Sequence, residues 1–355
     1  MDRQGKDRLE GQEARMNEAG PGDTIVRVKD LHINFYTNQR CNRVINGVTF
    51  DIKRGKTLCV VGESGCGKSV TANAIMRLLP ELSRIEKGSI TYLSPEGDIR
   101  IDQLERNGQQ MRRLRGKEMA IIFQDPMTAL NPVYSIGFQI DEMLQAHDKG
   151  LRKRAATAKS ISLLKDMGIP LPEQRVHEYP HQFSGGMRQR GMIAMAMANA
   201  PRVLIADEPT TALDVSIQAQ IFELIERLKT ERHTAIMLIT HDMGVVAELA
   251  DEVAVMYMGN IVEFGTVRDL LESPAHPYTK ALLKSIPILG RGRNQKLDPI
   301  RGSTPDSLMR PEGCQFHPRC DCAVPECGKS MPGETALGGI HRVMCHLYPE
   351  GANHD

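Results

Sequence analysis

Between Thr24 and Ile52 apolar and polar residues alternate. Val26 and Val28 share one face, with Arg27 and Lys29 on the other; Leu31, Ile33 and Phe35 form a second set, and Val48, Phe50 and Ile52 a third. A period of two belongs to half-buried strands, so this stretch predicts antiparallel strands with turns near Asn38 and Gly47. From Thr57 the pattern changes. Thr57–Val61, 203–206 and Ala235–Thr240 are short apolar runs, and 251–257 and 260–264 flank the turn Met258-Gly259. Such runs read as strands covered on both faces. Helical spacing separates them: Ala72, Ile75, Met76 and Leu79 within 69–79, and Ile217, Ile221, Leu224, Ile225 and Leu228 within 215–229. Buried strands alternating with helices predict an α/β fold with a parallel core.

Other stretches fill in around that core. Residues 88–101 read as a further strand–turn–strand, and 118–124 as an apolar strand ending in Gln124 before Asp125-Pro126. Within 136–176 the spacing of Ile136, Ile140 and Leu144, then Ile161, Leu164 and Met167, is helical. This predicts an inserted α-helical subdomain at about 126–190, closing on a helix over 187–199.

The candidate chemistry sits where buried strands end. VVGESGCGKSV reads G-x-x-x-x-G-K-[ST], with Gly62, Gly67, Lys68 and Ser69 in the fixed places, between a strand and a helix. That context makes a phosphate-binding loop. The glycines let the backbone curl so that the N–H groups of Glu63, Ser64, Gly65 and Cys66 turn inward, and the helix N-terminus adds its positive end. Lys68 can reach the β- and γ-phosphates of a nucleotide, and the Ser69 hydroxyl can hold Mg²⁺. The strand 203–206 ends in Asp207-Glu208. Asp207 is placed for the metal and Glu208 as general base toward water. Gln124 and His241 stand at two more strand ends, Gln124 for Mg²⁺ or the attacking water and His241 for the γ-phosphate. Phe35 and Tyr36 lie where an aromatic could stack on a base, although such a residue taken alone is more often part of a core. Ser184-Gly185-Gly186 precedes a helix and could hold phosphate, or simply cap that helix. Cys66, at a helix N-terminus, is where a thiol's pKa tends to fall, but its presence is explained as readily by the need for a small residue there.

Composition narrows the class. The chain has 355 residues, enough for a sizeable core and two domains. Its 45 basic and 44 acidic residues nearly cancel, unlike the basic footprint of a nucleic-acid binder, and no nucleic-acid partner is expected. Tryptophan is absent, and the longest apolar stretch, 191–206, is broken by Asn199, Pro201 and Arg202. No membrane span is predicted. The N-terminus is charged and lacks an apolar h-region, so the chain is expected in the cytosol, with 1–22 as a disordered extension and Met16 as an alternative start. In that compartment clustered cysteines bind metal or stay reduced. Five of the eight cysteines stand at 314, 320, 322, 327 and 345.

In their order and spacing these motifs resemble the ATP-binding subunits of ABC transporters over about residues 24–270. GESGCGKS matches the Walker A loop, Gln124 the Q-loop and FSGGM (183–187) the signature, with Phe and Met in place of the usual Leu and Gln. VLIADE (203–208) matches Walker B, Leu213-Asp214 the D-loop and His241 the switch histidine, while Phe35 falls at the adenine-stacking position. FQDPMTALNPV, IADEPTTALDV and HPYTKALL narrow the likeness to the oligopeptide, dipeptide and nickel uptake subfamily, and the tail GCQFHPRC to its D-type subunit. The resemblance implies a P-loop NTPase fold: an ABC ATPase domain over 23–270 and a small Cys-rich extension over 271–355. It implies an ATPase paired with a second ATPase subunit, each ATP held between one Walker A and the partner's signature loop, so that Ser184, Gly185, Gly186 and Asp214 serve the dimer. The pair would dock on two permeases, fed by an extracytoplasmic binding protein, at the cytoplasmic face of the inner membrane. The cargo would be di- or oligopeptides, with nickel, glutathione or a peptide-like antibiotic as alternatives, or the chain could be a soluble ABC ATPase without transport. In the tail, Cys314, Cys320, Cys327 and Cys345 resemble the ligands of a [4Fe–4S] cluster; a Zn²⁺ site using His317 or His346, or a reduced metal-free tail, are the other readings.

Overall fold

The computed structural model describes residues 23–37, 40–210, 214–285 and 300–349. The expectations for 1–22, Asn38 and Leu213 lie outside the described residues. Twelve strands are present among them: β1 (Thr24–Thr37), β2 (Arg40–Lys53), β3 (Thr57–Val61), β4 (Ser83–Tyr92), β5 (Ile99–Arg100), β6 (Met119–Ile122), β7 (Val203–Asp207), β8 (Ala235–Thr240), β9 (Glu252–Tyr257), β10 (Asn260–Thr266), β11 (Glu334–Gly338) and β12 (His341–Met344). They form a four-stranded sheet in the order β2-β1-β4-β5 and an eight-stranded sheet in the order β11-β12-β10-β9-β3-β8-β7-β6.

The short apolar runs are the centre of the large sheet. β3 lies between β8 and β9 and runs parallel to both, and β7 runs parallel to β8 and β6. Every residue of β3, β7 and β8 is buried, so these strands show no alternation in sequence. Alternation reappears in what they pack against. Leu58, Val60, Ile205, Met237 and Ile239 face the core shared with the small sheet and the helix Lys68–Ile75. Cys59, Val61, Leu204, Ala206, Ile236 and Leu238 face a second core shared with the helical subdomain. One sheet therefore serves two cores, and the ends of its strands lie between them.

The predicted turn at Gly47 is a bulge instead. β2 runs unbroken past it; Leu31 pairs with Val48 and His32 with Asn46, leaving Gly47 unpaired at φ 75°. Gly fits that left-handed backbone without strain, and the extra residue adds twist to the long hairpin. The helical subdomain follows the sequence pattern, with helices Ile136–His147, Lys153–Asp166 and Gly185–Ala196. The first two are tied by Asp141, which accepts from Thr157 Oγ1 at 2.8 Å and Ser160 Oγ at 2.6 Å. Among the described residues no helix is long and apolar enough to cross a membrane.

The C-terminal residues continue the large sheet. β12 pairs with β10 through Glu263–Val343 and Phe264–Arg342. Beneath the pairing, the fully buried Glu263 carboxylate accepts from Ala275 N–H at 2.7 Å, His276 N–H at 2.9 Å and His341 Nε2 at 2.9 Å. Burial pushes that carboxyl up, but His341 and the amide donors outweigh it and keep it below the usual range. His276, 1 % exposed, uses Nδ1 to accept from Tyr278 N–H at 3.0 Å and so caps the helix Pro277–Lys284. That acceptor role needs a neutral ring, and burial holds its pKa at about 4.

A histidine depressed this far binds its proton in the unfolded chain first. Its stabilising effect is complete above about pH 6.5 and is lost as pH falls toward 4. Urea titrations should show about 2 kcal/mol less stability at pH 5 than at pH 7 from this group alone. A His276→Asn variant, which can still cap but does not titrate, should lose less over the same interval. The same pH dependence in both proteins would place the titration elsewhere.

Candidate functional site

β3 ends at Val61, and residues 62–67 curl into the helix Lys68–Ile75. Two contacts explain the glycines. A Cβ on Gly62 would lie 2.2 Å from the Met256 carbonyl oxygen, at the end of the neighbouring β9. One on Gly67, the helix N-cap at φ 106°, would lie 2.5 Å from Ile45 Cδ1. Lys68 is 5 % exposed, and its Nζ donates to the carbonyls of Gly62 at 2.7 Å and Glu63 at 3.0 Å. The loop thus encircles a cation, beside backbone N–H groups at a helix start. It forms one wall of a cavity of about 870 Å³ whose other lining includes Gln124, Glu208, His241 and Arg319.

Three parallel strands deliver the opposite wall. Asp207, the last residue of β7, accepts from Ser69 Oγ at 3.0 Å and is 8 % exposed. Burial and the neighbouring Glu208 charge push its carboxyl up, against the pull of Ser69 and Lys68. A buried carboxylate of raised pKa beside a hydroxyl fits a hard divalent cation, whose charge would reverse that shift. Mg²⁺ keeps several waters and phosphate oxygens as ligands, so a small protein donor set suffices. Glu208 follows in a left-handed backbone at φ 45°, a strained conformation for a non-glycine residue and one that concentrates at functional sites. Its Oε2 accepts from Gln124 Nε2 at 2.9 Å, and its Oε1 lies 3.3 Å from His241 Nδ1. Gln124, Glu208 and His241 therefore meet at one carboxylate.

Phe35 lines a second cavity of about 370 Å³ that shares Val44, Gly65 and Val70 with the first. Tyr36 points to the other face of β1, as strand alternation requires. Its hydroxyl donates to Glu86 at 2.6 Å, and its ring carries the Arg84 guanidinium at 5.5 Å. Ser184 caps the helix Gly185–Ala196 by accepting from Met187 N–H at 3.3 Å; Ser184 and Gly185 are exposed and Gly186 buried. Asp214 caps the helix Val215–Arg232 through Ile217 N–H at 3.0 Å. None of these four residues lines the 870 Å³ cavity.

Cys66 sits packed beneath the loop. It is 2 % exposed, and burial pushes its thiol up despite Lys68 and the backbone N–H groups, which act in the direction expected of a helix N-terminus. Burial thus works against the lowering that the helix N-terminus is expected to give.

In the tail, Cys327 and Cys345 are buried and Cys314 and Cys320 half-buried, while Cys322 is exposed. Cys314 N–H donates to the Cys327 carbonyl at 2.8 Å. Burial, then the nearby Cys314, Cys320 and Cys327, push the Cys345 thiol up to about 11. The four thiols thus lie within each other's field. Among the described residues no three His, Cys, Asp or Glu side chains converge closely enough for a single metal ion. His317 Nδ1 is engaged with the Cys314 carbonyl and His346 Nε2 with the Ser330 carbonyl, both at 2.9 Å.

The sequence reading missed the residues that fix Glu63. Arg319 Nη1 and Nη2 donate to its two carboxylate oxygens at 2.6 and 3.0 Å, and Thr304 Oγ1 donates at 3.0 Å. The Glu63 N–H donates to Tyr278 Oη at 2.9 Å. The Arg319 guanidinium is centred 5.9 Å from the Tyr257 ring and 6.0 Å from that of Phe316. Burial raises the Glu63 carboxyl, yet Arg319, Thr304 and Lys68 bring it below the usual range. Arg319 stands in the FHPR run beside Cys320, but 256 positions separate it from Glu63, and no local pattern pairs them.

The chain matches known families over most of its length. The ABC transporter family matches residues 45–211, and the C-terminal region of oligopeptide/dipeptide transporters matches 262–327. The chain is 46% identical over 333 residues to the dipeptide transport ATP-binding protein DppD of Bacillus subtilis, covering 94% of this chain and 97% of that protein. It is 49% identical to the oligopeptide transport ATP-binding protein OppD of the same organism, over 91% of this chain and 88% of that one. Among solved structures, the dimeric bacterial ABC transporter cassette MJ0796 superposes with a TM-score of 0.60 at 24% identity, over 69% of this chain and 99% of that chain, a likeness of fold. The cbiO1 structure from Clostridium perfringens superposes with 0.56 at 26% identity, over 71% and 92%.

Proposed function

Since the chain belongs to the ABC transporter ATP-binding proteins and carries the C-terminal region of the oligopeptide and dipeptide transporters, we propose that it is the ATP-hydrolysing subunit of a peptide importer. The observation that carries this reading is the convergence of Lys68, Ser69 and Glu208 on one 870 Å³ cavity, with Asp207 hydrogen-bonded to Ser69. The triphosphate of ATP lies along the N–H groups of residues 62–69. Lys68 exchanges the Gly62 and Glu63 carbonyls for β- and γ-phosphate oxygens. Ser69 and Asp207 would hold Mg²⁺, with Gln124 beside them, and the bound ion supplies charge neutralisation on the phosphates. Glu208 accepts the proton of the attacking water, which Gln124 and His241 help to place. Phosphoryl transfer needs little more than such positioning and neutralised charge.

The exposed Ser184 and Gly185, capping a helix away from this chain's own cavity, support the expectation that they complete the site of a second ATPase subunit. Closure and reopening of that pair would then move two permeases at the cytoplasmic face of the inner membrane, supplied by an extracytoplasmic binding protein. The relatives' names favour di- and oligopeptides over nickel, glutathione or peptide-like antibiotics. The test is affinity purification of the tagged full chain from detergent-solubilised membranes. A second ATPase and two membrane subunits should co-elute, and the complex in vesicles should hydrolyse ATP faster with peptide-loaded binding protein. A chain that stays in the soluble fraction without them would leave the ATPase and remove the importer.

We also propose that Cys314, Cys320, Cys327 and Cys345 ligate a [4Fe–4S] cluster. Cys314, Cys320 and Cys345, each raised chiefly by burial, lie with Cys327 within one another's field, and a shared cationic centre that takes the four as thiolates would relieve that. Anaerobically purified protein should be brown, with broad visible absorbance and about four irons per chain. A Cys320→Ser variant should lose the colour, and a colourless preparation carrying zinc would reverse the assignment.

A further inference from the structure

The proposed nucleotide site has an additional wall. Residues 300–310 leave the C-terminal module and cross the phosphate loop on the side of Phe35. Four contacts hold this strap. Thr304 Oγ1 donates to Glu63 at 3.0 Å, and Asn42 Nδ2 donates to Ser307 Oγ at 2.9 Å. Arg319 Nε donates to the Arg301 carbonyl at 2.8 Å and its Nη2 to that of Gly302 at 3.2 Å. Between strap and loop lies the 370 Å³ cavity, which shares Val44, Gly65 and Val70 with the lining of the phosphate site. That volume is within the usual range for a small-molecule pocket, about 300–1,000 Å³.

The lining comes from two sources. The ABC core supplies Phe35, an aromatic face, and the strap supplies Pro305, Leu308 and Arg310. Leu308 is 46 % exposed, an apolar side chain with one face uncovered toward this cavity. Arg310 is half-buried, and its guanidinium donates to the Asn46 side-chain oxygen at 2.5 Å once that amide is oriented to satisfy both groups. Its Nε has no partner, and among the described residues no carboxylate pairs with it. A half-buried guanidinium that meets only an amide oxygen calls for a further acceptor. A purine nucleoside offers what these residues lack: a flat apolar face, ring nitrogens and ribose hydroxyls as acceptors, and a covalent link to the phosphates next door.

We infer that residues 304–310 form the second wall of the base and ribose pocket, with Leu308 against the purine and Arg310 at its polar edge. The C-terminal module is then part of the nucleotide site, and Arg319 is the residue that fastens the strap to the phosphate loop through Glu63. This rests on the ATP reading above.

The test separates base from phosphate. Equilibrium binding of MgATP and of magnesium tripolyphosphate, which has no base, is measured on the full chain by calorimetry. Leu308→Ala and Arg310→Ala should each weaken MgATP about tenfold and leave tripolyphosphate within twofold. Leu308→Gln, which keeps the bulk, guards against a variant that fails to fold, and thermal midpoints report on the fold. Unchanged MgATP affinity overturns the inference. Tighter MgATP binding also overturns it, because the strap would then be a cover competing with the base. Equal losses for both ligands overturn it too, placing the effect on the loop through Glu63. If Lys68→Ala lowers neither affinity, the ATP reading fails instead.

Discussion

A Glu208→Gln variant should bind MgATP as wild type does and turn it over about 10²–10⁴-fold more slowly. The substitution keeps size and shape and removes the negative charge and the basicity. The carboxylate stands 2.9 Å from Gln124 Nε2 and 3.3 Å from His241 Nδ1, so residues beyond two neighbouring strands hold the group proposed to take a proton from water. Its backbone at φ 45° is consistent with a side chain held in place against local preference. Single-turnover hydrolysis measured beside nucleotide affinity separates chemistry from binding. Turnover within tenfold of wild type would move the general base to another residue.

The second large effect is expected at Arg319. Truncating it to Ala leaves the Glu63 carboxylate without its bidentate partner at the rim of the phosphate loop. Breaking a buried pair costs about 3–5 kcal/mol; here the Glu63 side chain keeps 27% exposure, so about 2 kcal/mol of unfolding free energy is expected. Part of that loss comes from an orphaned charge rather than a lost attraction. An Arg319→Ala, Glu63→Gln double variant should therefore be more stable than Arg319→Ala alone. Urea midpoints of the four proteins in the cycle measure this. Strict additivity would mean that Arg319 acts through Tyr257 and Phe316 packing instead.

The phosphate loop and its facing carboxylates were legible because each is local: a strand, a few residues and a helix start. The same holds for Gln124, Glu208 and His241, each read as a polar residue at the end of an apolar run. What they do together depends on β6, β7 and β8 lying side by side, which periodicity does not state. Gly47 reads as a turn because glycine after a polar stretch usually is one; only pairing with β1 distinguishes a bulge. Phe35 and Tyr36 are adjacent in sequence, and the period of two sends them to opposite faces. Cys66 shows two opposed physical effects at one thiol, a helix start that lowers the pKa and burial that raises it, and the sequence exposes only the first. Glu63 with Arg319, and Glu263 with His341, are long-range pairs, invisible until the chain is folded.

Pairing of β12 with β10 has one more consequence. Without that hairpin, β10 would present a free row of amides and carbonyls beside Phe264, a ready template for another chain. The C-terminal segment therefore acts as a selvedge. A fragment cut off before it is expected to be prone to cross-chain strand addition through β10.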